Sequence, residues 1–238
     1  MIIERPSAGR GRVDDGGLDS RHTFSFGHYH DPQWMGFGPL RVINEDRLQP
    51  GAGFAPHRHA NMEIISVVIA GALAHADSTG NEKLLRPGEV QWMSAGHGIE
   101  HSEYNGDPSA VTHFLQIWIQ PDRVNAAPAY AQQTFPRSAR IGRWVTFVSP
   151  DGADGSIGIR QQAWMHGSVL PAGERISATL DPARRYWLQV VAGDVTAHGI
   201  RLTAGDALGF VDEEGELAIH ADAGEGNEAE LLLFDLPR

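Results

Sequence analysis

The chain has 238 residues, of which 41% are hydrophobic and 21% charged, as in an ordinary globular protein of one large or two smaller domains. Its formal net charge is −11 and both halves are acidic, which argues against binding to nucleic acid or to an anionic membrane through general electrostatics. Cysteine is absent, so any metal site must use nitrogen and oxygen ligands.

The 28 Gly and 14 Pro exceed what a helical protein uses and favour a β architecture with frequent turns. The segment Met1 to Pro6 lacks the apolar region of a signal peptide, and no stretch approaches the ~18 apolar residues of a membrane span. We therefore expect a cytoplasmic protein that does not enter the membrane.

The first 20 residues are polar and rich in glycine, and we expect them to form a loosely held arm. Residues 21–26 alternate polar and aromatic side chains, the pattern of a half-buried strand. A second short strand is predicted at 40–44. A Pro-Gly turn at 50–51 then leads into the central part of the sequence.

From residue 54 onward, short β-rich segments recur at roughly the 8-to-12-residue spacing of a sandwich or small barrel. The clearest are 64–69, 71–77, 89–93 and 111–119. These segments place a first β domain in residues 1–120.

Residues 121–140 contain several alanines and prolines with little patterning and are interpreted as a linker with room for one short helix. Short strands follow throughout 141–238, which predicts a second β domain. The segments 86–90 and 202–207 are similar, and each precedes a strand and then a histidine, so a duplicated β fold is the simplest interpretation. The second copy lacks a His-x-His pair.

Two clusters of metal-ligand residue types lie about forty residues apart. Residues two apart in a strand point to the same face, so His57 projects with His59, and His101 projects with Glu103. Three imidazoles and a carboxylate suit Fe(II), Mn(II), Ni(II), Cu(II) or Zn(II) and leave open positions for chemistry. Glu63 has the same strand parity as His57, so it could replace Glu103 or accept a hydrogen bond from a ligand imidazole. Parity does not choose between them.

A third pair, His28 and His30, has the same spacing as His57 and His59. Asp31-Pro32 follows it at once, and no partner cluster accompanies it. We interpret this pair as a loop or rim feature.

The sequence resembles the cupin superfamily and, within it, the pirin family. Gly51, His57, His59 and Glu63 have the spacing of the first cupin motif, and the segment from Gly88 to Asn105 is similar to a stretched second one. The segments that resemble pirins cover most of residues 20–120 and are 20–26, 35–46, 75–81 and 91–103.

The resemblance implies an all-β bicupin with two jelly-roll-like β-barrels, the N-terminal one carrying the metal and the C-terminal one lacking metal ligands. It implies His57, His59, His101 and Glu103 as the ligands, which favours Glu103 over Glu63, and iron as the usual metal. Bacterial pirin-like proteins are associated with quercetin 2,3-dioxygenase activity, whereas the animal pirin is a nuclear co-regulator of transcription.

We therefore expect a metal-dependent dioxygenase that opens a flavonol or related enolisable aromatic substrate with O2, with Glu103 as general base. Residues that could wall an aromatic pocket are Phe54, Met62, Trp92 and Met93, although ordinary core packing is the favoured interpretation for them. The alternative is a metal-dependent binding or regulatory module that acts on a protein partner without turnover. A third possibility is a bicupin that has kept the fold and lost the metal.

Overall fold

The computed structural model of the chain describes residues 1–224 and 228–238. It forms two compact units. One unit, called the site unit below, comprises Gly11–Thr134 with Ile159–Gln161; the other, called the second unit, comprises Met1–Arg10, Phe135–Gly158 and Gln162–Arg238.

The described residues are mostly in β-strands with short connections. The strands are β1 (Ile2–Arg5), β2 (Gly11–Asp14), β3 (Leu18–His22), β4 (Leu40–Leu48), β5 (Gly53–His59), β6 (Glu63–Ala70), β7 (Leu73–Asp77), β8 (Glu82–Leu85), β9 (Glu89–Ser94), β10 (Ile99–Asn105), β11 (Thr112–Ile119), β12 (Ala129–Thr134), β13 (Val145–Ser149), β14 (Ile157–Gly158), β15 (Trp164–Leu170), β16 (Arg175–Leu180), β17 (Arg184–Ala192), β18 (Val195–Ala197), β19 (Ile200–Leu202), β20 (Ala207–Val211), β21 (Gly215–Ala221) and β22 (Ala229–Pro237). Among the described residues, helical structure consists of the single turn α1 (Arg137–Arg140) and two 3₁₀ turns, Ser7–Gly9 and Ala153–Gly155. None of these helices has the length and apolar character needed to cross a membrane.

The site unit is a sandwich of two antiparallel sheets. The larger has the strand order β12-β9-β6-β11-β4-β3-β2, and the smaller has the order β5-β10-β7-β8. Apolar side chains from both sheets meet in one core cluster; its fully buried members are Leu48, Val68, Leu73, Leu85 and Phe114. Burial of these faces drives the two sheets together, at about 25 cal/mol for each Å² of apolar surface removed from water.

The second unit repeats this arrangement. Its larger sheet has the order β1-β20-β17-β22-β15-β13-β14 and its smaller sheet the order β16-β21-β18-β19. The similar segments 86–90 and 202–207 precede strands β9 and β20, which occupy the same place in the two large sheets. The prediction of an all-β duplicated fold is confirmed, although each unit is a jelly-roll-like sandwich with open edges and not a closed barrel.

The boundaries of the two units differ from the predicted division at 120 and 140. The predicted loose arm of residues 1–20 is instead paired into sheets. The first ten residues belong to the second unit, where β1 pairs with β20. The next ten contribute to β2 and β3, which join the large sheet of the site unit. Within the predicted linker, β12 pairs with β9 at the edge of the large sheet of the site unit, and α1 is the expected short helix. Edge strands are held by backbone hydrogen bonds to a neighbouring strand. Side-chain patterning therefore did not reveal β1 or β12.

Candidate metal centre

Two neighbouring strands of the small sheet place three histidines together. His57 and His59 are two residues apart in β5, so their side chains leave the strand on the same face. β10 runs antiparallel beside β5, and His101 pairs with His57 across the ladder. The register shifts between His101 and Glu103, where β5 carries one residue more than β10 and includes Pro56. Proline cannot donate to a ladder, and a bulge accommodates it.

Gly53 allows β5 to approach β10 closely at this bulge. A Cβ atom at Gly53 would lie 2.4 Å from the Glu103 carbonyl oxygen and 2.5 Å from the Tyr104 ring. Any larger residue would therefore push the two strands apart at the point where the site is built.

The three imidazoles form a compact cluster. The ring centroids of His57 and His59 are 4.7 Å apart, those of His57 and His101 are 4.4 Å apart, and those of His59 and His101 are 4.9 Å apart. One nitrogen from each ring lies within 4.8 Å of the other two. This spacing allows all three to bind one ion.

The hydrogen bonds show which nitrogens are available. His57 donates its Nδ1–H to the Ala55 carbonyl oxygen at 2.8 Å, which leaves its Nε2 lone pair free to bind a metal. His59 Nε2 and both ring nitrogens of His101 are buried and have no hydrogen-bond partner among the described residues. A buried polar atom without a hydrogen-bond partner lowers folding stability by about 1–3 kcal/mol.

The environment keeps two of these rings neutral. Burial lowers the pKa of His59 to about 4, and the neighbouring His57 lowers it further. Burial also lowers the pKa of His101 to about 3, with additional lowering by His57 and His59. A neutral imidazole has a nitrogen lone pair, and a bound cation can accept several such lone pairs that converge on one buried point. The residues present therefore fit a divalent metal ion bound by nitrogen.

Glu103 is fully buried next to this cluster. It accepts hydrogen bonds from Ser66 Oγ at 3.3 Å and from Gln116 Nε2. Burial raises the pKa of its carboxyl group to about 7. Its carboxylate lies within 4.8 Å of a His101 nitrogen and a His75 nitrogen, but it is not part of the group formed by all three predicted histidines. The structure thus brings three of the four predicted ligands together and places the fourth beside one of them.

His75 is a site residue that the sequence reasoning missed. It lies on β7 directly opposite Glu103, its Nε2 is 3.1 Å from Asp77, and its ring stacks on Tyr130 with a centroid separation of 5.2 Å. Its ring centroid is 5.4 Å from that of His101. The signal that could have found it is the spacing of His75 and Asp77, which places both on one face of a strand.

A cavity of about 490 Å³ opens beside the histidine cluster. Its wall includes His57 and His59, together with the aromatic side chains of Phe26, Phe54 and Trp118. Phe54 therefore occupies the wall position considered for it. His28, interpreted from the sequence as a loop or rim residue, also lines this cavity.

Four other candidates lie elsewhere. Glu63 accepts hydrogen bonds from Trp92 Nε1 at 2.9 Å, from Ser94 Oγ and from the Arg160 backbone N–H at 3.0 Å. Trp92 and Glu63 thus share a face of the large sheet that does not line the cavity.

The prediction that Glu63 supports a ligand imidazole is wrong, because β5 and β6 belong to different sheets and strand parity does not carry from one to the other. Met62 and Met93 pack in a core cluster with Ile64, Ala95 and Ile99. This placement agrees with the core interpretation for the two methionines.

Comparison with known proteins identifies the family. A family model described as Pirin matches residues 5–119, and one described as Quercetinase C-terminal cupin domain matches residues 146–236. Over 237 residues the chain is 43% identical to the quercetin 2,3-dioxygenase of Escherichia coli strain K12, covering 100% of this chain and 99% of that protein. The chain belongs to the pirin family.

This pirin is also similar to a solved pirin with a metal. The crystal structure of bacterial pirin YhhW from Escherichia coli in complex with nickel(II) superposes with a TM-score of 0.92 at 41% identity, covering 100% of this chain and 99% of that one. A protein named pirin-like protein from Caulobacter vibrioides is 42% identical over 237 residues, covering 99% of each chain. The sequence resemblance is thereby confirmed at the level of family and fold.

Proposed function

We propose that this pirin is a metal-dependent dioxygenase of the quercetin 2,3-dioxygenase type, which opens a flavonol or a related enolisable aromatic compound with O2. The observation that carries the proposal is the cluster of three histidines, of which burial holds His59 and His101 neutral. Two members of the cluster, His57 and His59, lie in the wall of a largely apolar cavity of about 490 Å³. The quercetin 2,3-dioxygenase name of a relative that is 43% identical supports it.

The metal in this proposal is one divalent ion, with Fe(II) first and Mn, Ni, Cu or Zn as alternatives. His57, His59 and His101 hold it, with Glu103 as a fourth ligand from its place next to His101. When bound, the ion supplies a Lewis acid that lowers the pKa of a substrate hydroxyl group and orients it.

The protein side chains supply position and proton transfer. Phe54 and Trp118 hold the flat rings of the substrate and keep water out of the cavity. The Glu103 carboxylate, fixed by Ser66 and Gln116, receives the substrate hydroxyl proton at a side-chain oxygen. The reaction puts both atoms of O2 into the opened product, and one ring carbon leaves with its own oxygen as carbon monoxide.

The test uses the whole chain loaded with Fe(II) in the absence of oxygen. Quercetin is added, air is admitted, and the flavonol absorbance and the carbon monoxide released are followed together. We expect loss of absorbance with one carbon monoxide for each quercetin consumed, and neither signal from the His59→Ala variant. The matched control is His220→Ala, which changes an exposed histidine of the second unit and should behave as wild type. Fully loaded wild-type protein that releases no carbon monoxide contradicts the proposal for this substrate.

A second candidate is a metal-dependent regulatory module that binds a protein partner. The net charge of −11 favours a partner with a basic surface. Full metal occupancy and tight flavonol binding without turnover would favour this candidate over the dioxygenase.

A further inference from the structure

A group of buried polar side chains lies on the cavity side of the large sheet in the site unit. Asn44 and Asp46 are two residues apart in β4 and face the same way, and Ser20 on β3 pairs with Asp46. Gln116 on β11 pairs with Asn44. All four side chains line the cavity beside the histidine cluster, and none is more than 7% exposed.

Two of these groups are left with unused hydrogen-bonding capacity. Asp46 is only 2% exposed, accepts a hydrogen bond from Ser20 Oγ and has no cationic partner among the described residues. The Oδ1 atom of Asn44 is buried and has no hydrogen-bond partner among them. Burial raises the pKa of Asp46 to about 7, although the Ser20 hydrogen bond lowers it and Glu45 raises it further. Each such group costs stability of about 1–3 kcal/mol.

Strand pairing does not account for Asp46. Backbone pairs from Leu18↔Leu48 to His22↔Asn44 already join β3 to β4. An apolar residue at position 46 would extend the apolar wall to which Val13 and Leu18 contribute, without the cost of a buried carboxyl group. The Asp46 carboxyl group is therefore best explained as a binding group for a ligand that enters the cavity.

We propose that Asp46, assisted by Asn44, determines substrate specificity by binding a second hydroxyl group of an aromatic polyphenol, distinct from the hydroxyl group directed to the histidine cluster. The rest of the wall is mainly apolar and aromatic, with Val13, Leu18, Phe26, Phe54 and Trp118, and suits flat rings. A carboxyl group and an amide in such a wall select ligands that carry a hydroxyl group at their edge, because a ligand without one leaves both groups unpaired. The inference shares the cavity of the proposed function and rests on the proposed class of substrate.

The experiment measures binding in the absence of oxygen, so that no turnover occurs. Iron-loaded protein is titrated with quercetin and with 3-hydroxyflavone, which has the same hydroxy-ketone and no other hydroxyl group. Quenching of tryptophan fluorescence reports binding, since Trp118 lines the cavity. Wild type should bind quercetin more tightly. Asp46→Leu should weaken quercetin binding by about tenfold or more and change 3-hydroxyflavone binding by less than about twofold, as expected for loss of one hydrogen bond to a charged or strongly polar group.

Two further variants make the result decisive. Asp46→Asn keeps the size of the side chain and an oxygen that accepts from Ser20, so it should fold as wild type does. Its affinity for quercetin should fall several-fold, and its affinity for 3-hydroxyflavone should not change. Glu82→Gln is the control for removal of a carboxylate, because Glu82 is exposed on β8 and does not line the cavity. It should leave both affinities unchanged. Metal analysis and a melting curve accompany each variant.

An equal loss for both ligands, or no loss for either, overturns the inference. A wild-type protein that binds neither flavonol also overturns it. Selective weakening of quercetin binding in a protein that releases no carbon monoxide supports the inference and refutes the dioxygenase. Carbon monoxide release with unchanged selectivity in the Asp46 variants refutes only the inference.

Discussion

Replacing His101 by alanine should remove the stabilisation that metal gives to this pirin. His101 is 2% exposed and both of its ring nitrogens lack hydrogen-bond partners among the described residues, so in the metal-free protein its polar groups add a desolvation cost. A metal present at one hundred times its dissociation constant stabilises the folded state by about 2.7 kcal/mol. With an unfolding entropy of about 2.1 cal/mol/K per residue, that is a rise in Tm of about 5 °C if the whole chain unfolds together and about 10 °C if the site unit unfolds alone.

The assay is a pair of calorimetric scans for each protein, one with excess chelator and one with Fe(II) under nitrogen. Wild type and His220→Ala should show the full rise in Tm, because His220 is exposed on β21 of the second unit, the strand that matches β10 in the duplicated fold. His101→Ala should show less than about 1 °C by the same relation. A full rise in His101→Ala would refute the assignment of this histidine.

Three other perturbations test the surroundings of the centre. His75→Ala should lower metal affinity by roughly 10- to 100-fold without abolishing binding, because His75 lies against His101 and Glu103; competition with a chelator measures this, and unchanged affinity would contradict it. Gly53→Ala should lower the free energy of unfolding by about 1–3 kcal/mol and reduce metal occupancy, since its Cβ would lie 2.4 Å from the Glu103 carbonyl oxygen. Denaturant titration and metal analysis measure these two effects, and a variant as stable and as fully loaded as wild type would contradict the prediction. Asp46→Asn should gain stability relative to wild type, by about 2–4 kcal/mol, as pH rises from about 4 to about 7. Burial raises the folded pKa of Asp46 above its unfolded value of 3.8, so the wild-type protein loses stability through that range as Asp46 ionises, whereas the asparagine of the variant does not titrate. Parallel pH profiles of stability for the two proteins would refute this prediction.

The fold could be predicted from sequence because β-strands separated by turns leave a periodic signal. The similar segments 86–90 and 202–207 correctly indicated a duplication, since each precedes the same strand of its sheet. The edge strands β1 and β12 could not be predicted in this way, because their place depends on backbone pairing with strands distant in the sequence. Pairing over such distances has no local pattern.

The site was predictable where local spacing determines geometry. The spacing of His57 and His59 places both on one face, and the partner strand then supplies His101. Glu63 was misplaced because parity was extended from β5 to β6, across a turn that changes sheets. His75 and Asp46 could not be predicted for a related reason. Each is placed at the site by pairing with a residue on a strand distant in the sequence: His75 pairs with Glu103, and Asp46 pairs with Ser20.

The most direct test of the proposed reaction is the fate of labelled oxygen. Iron-loaded wild-type protein would be given quercetin under ¹⁸O₂, and the ring-opened product and the released gas analysed by mass spectrometry. The dioxygenase account predicts a product carrying two ¹⁸O atoms, unlabelled carbon monoxide, and no product from His101→Ala. A product whose new oxygen comes from water, or quercetin recovered intact from fully iron-loaded protein, would contradict it.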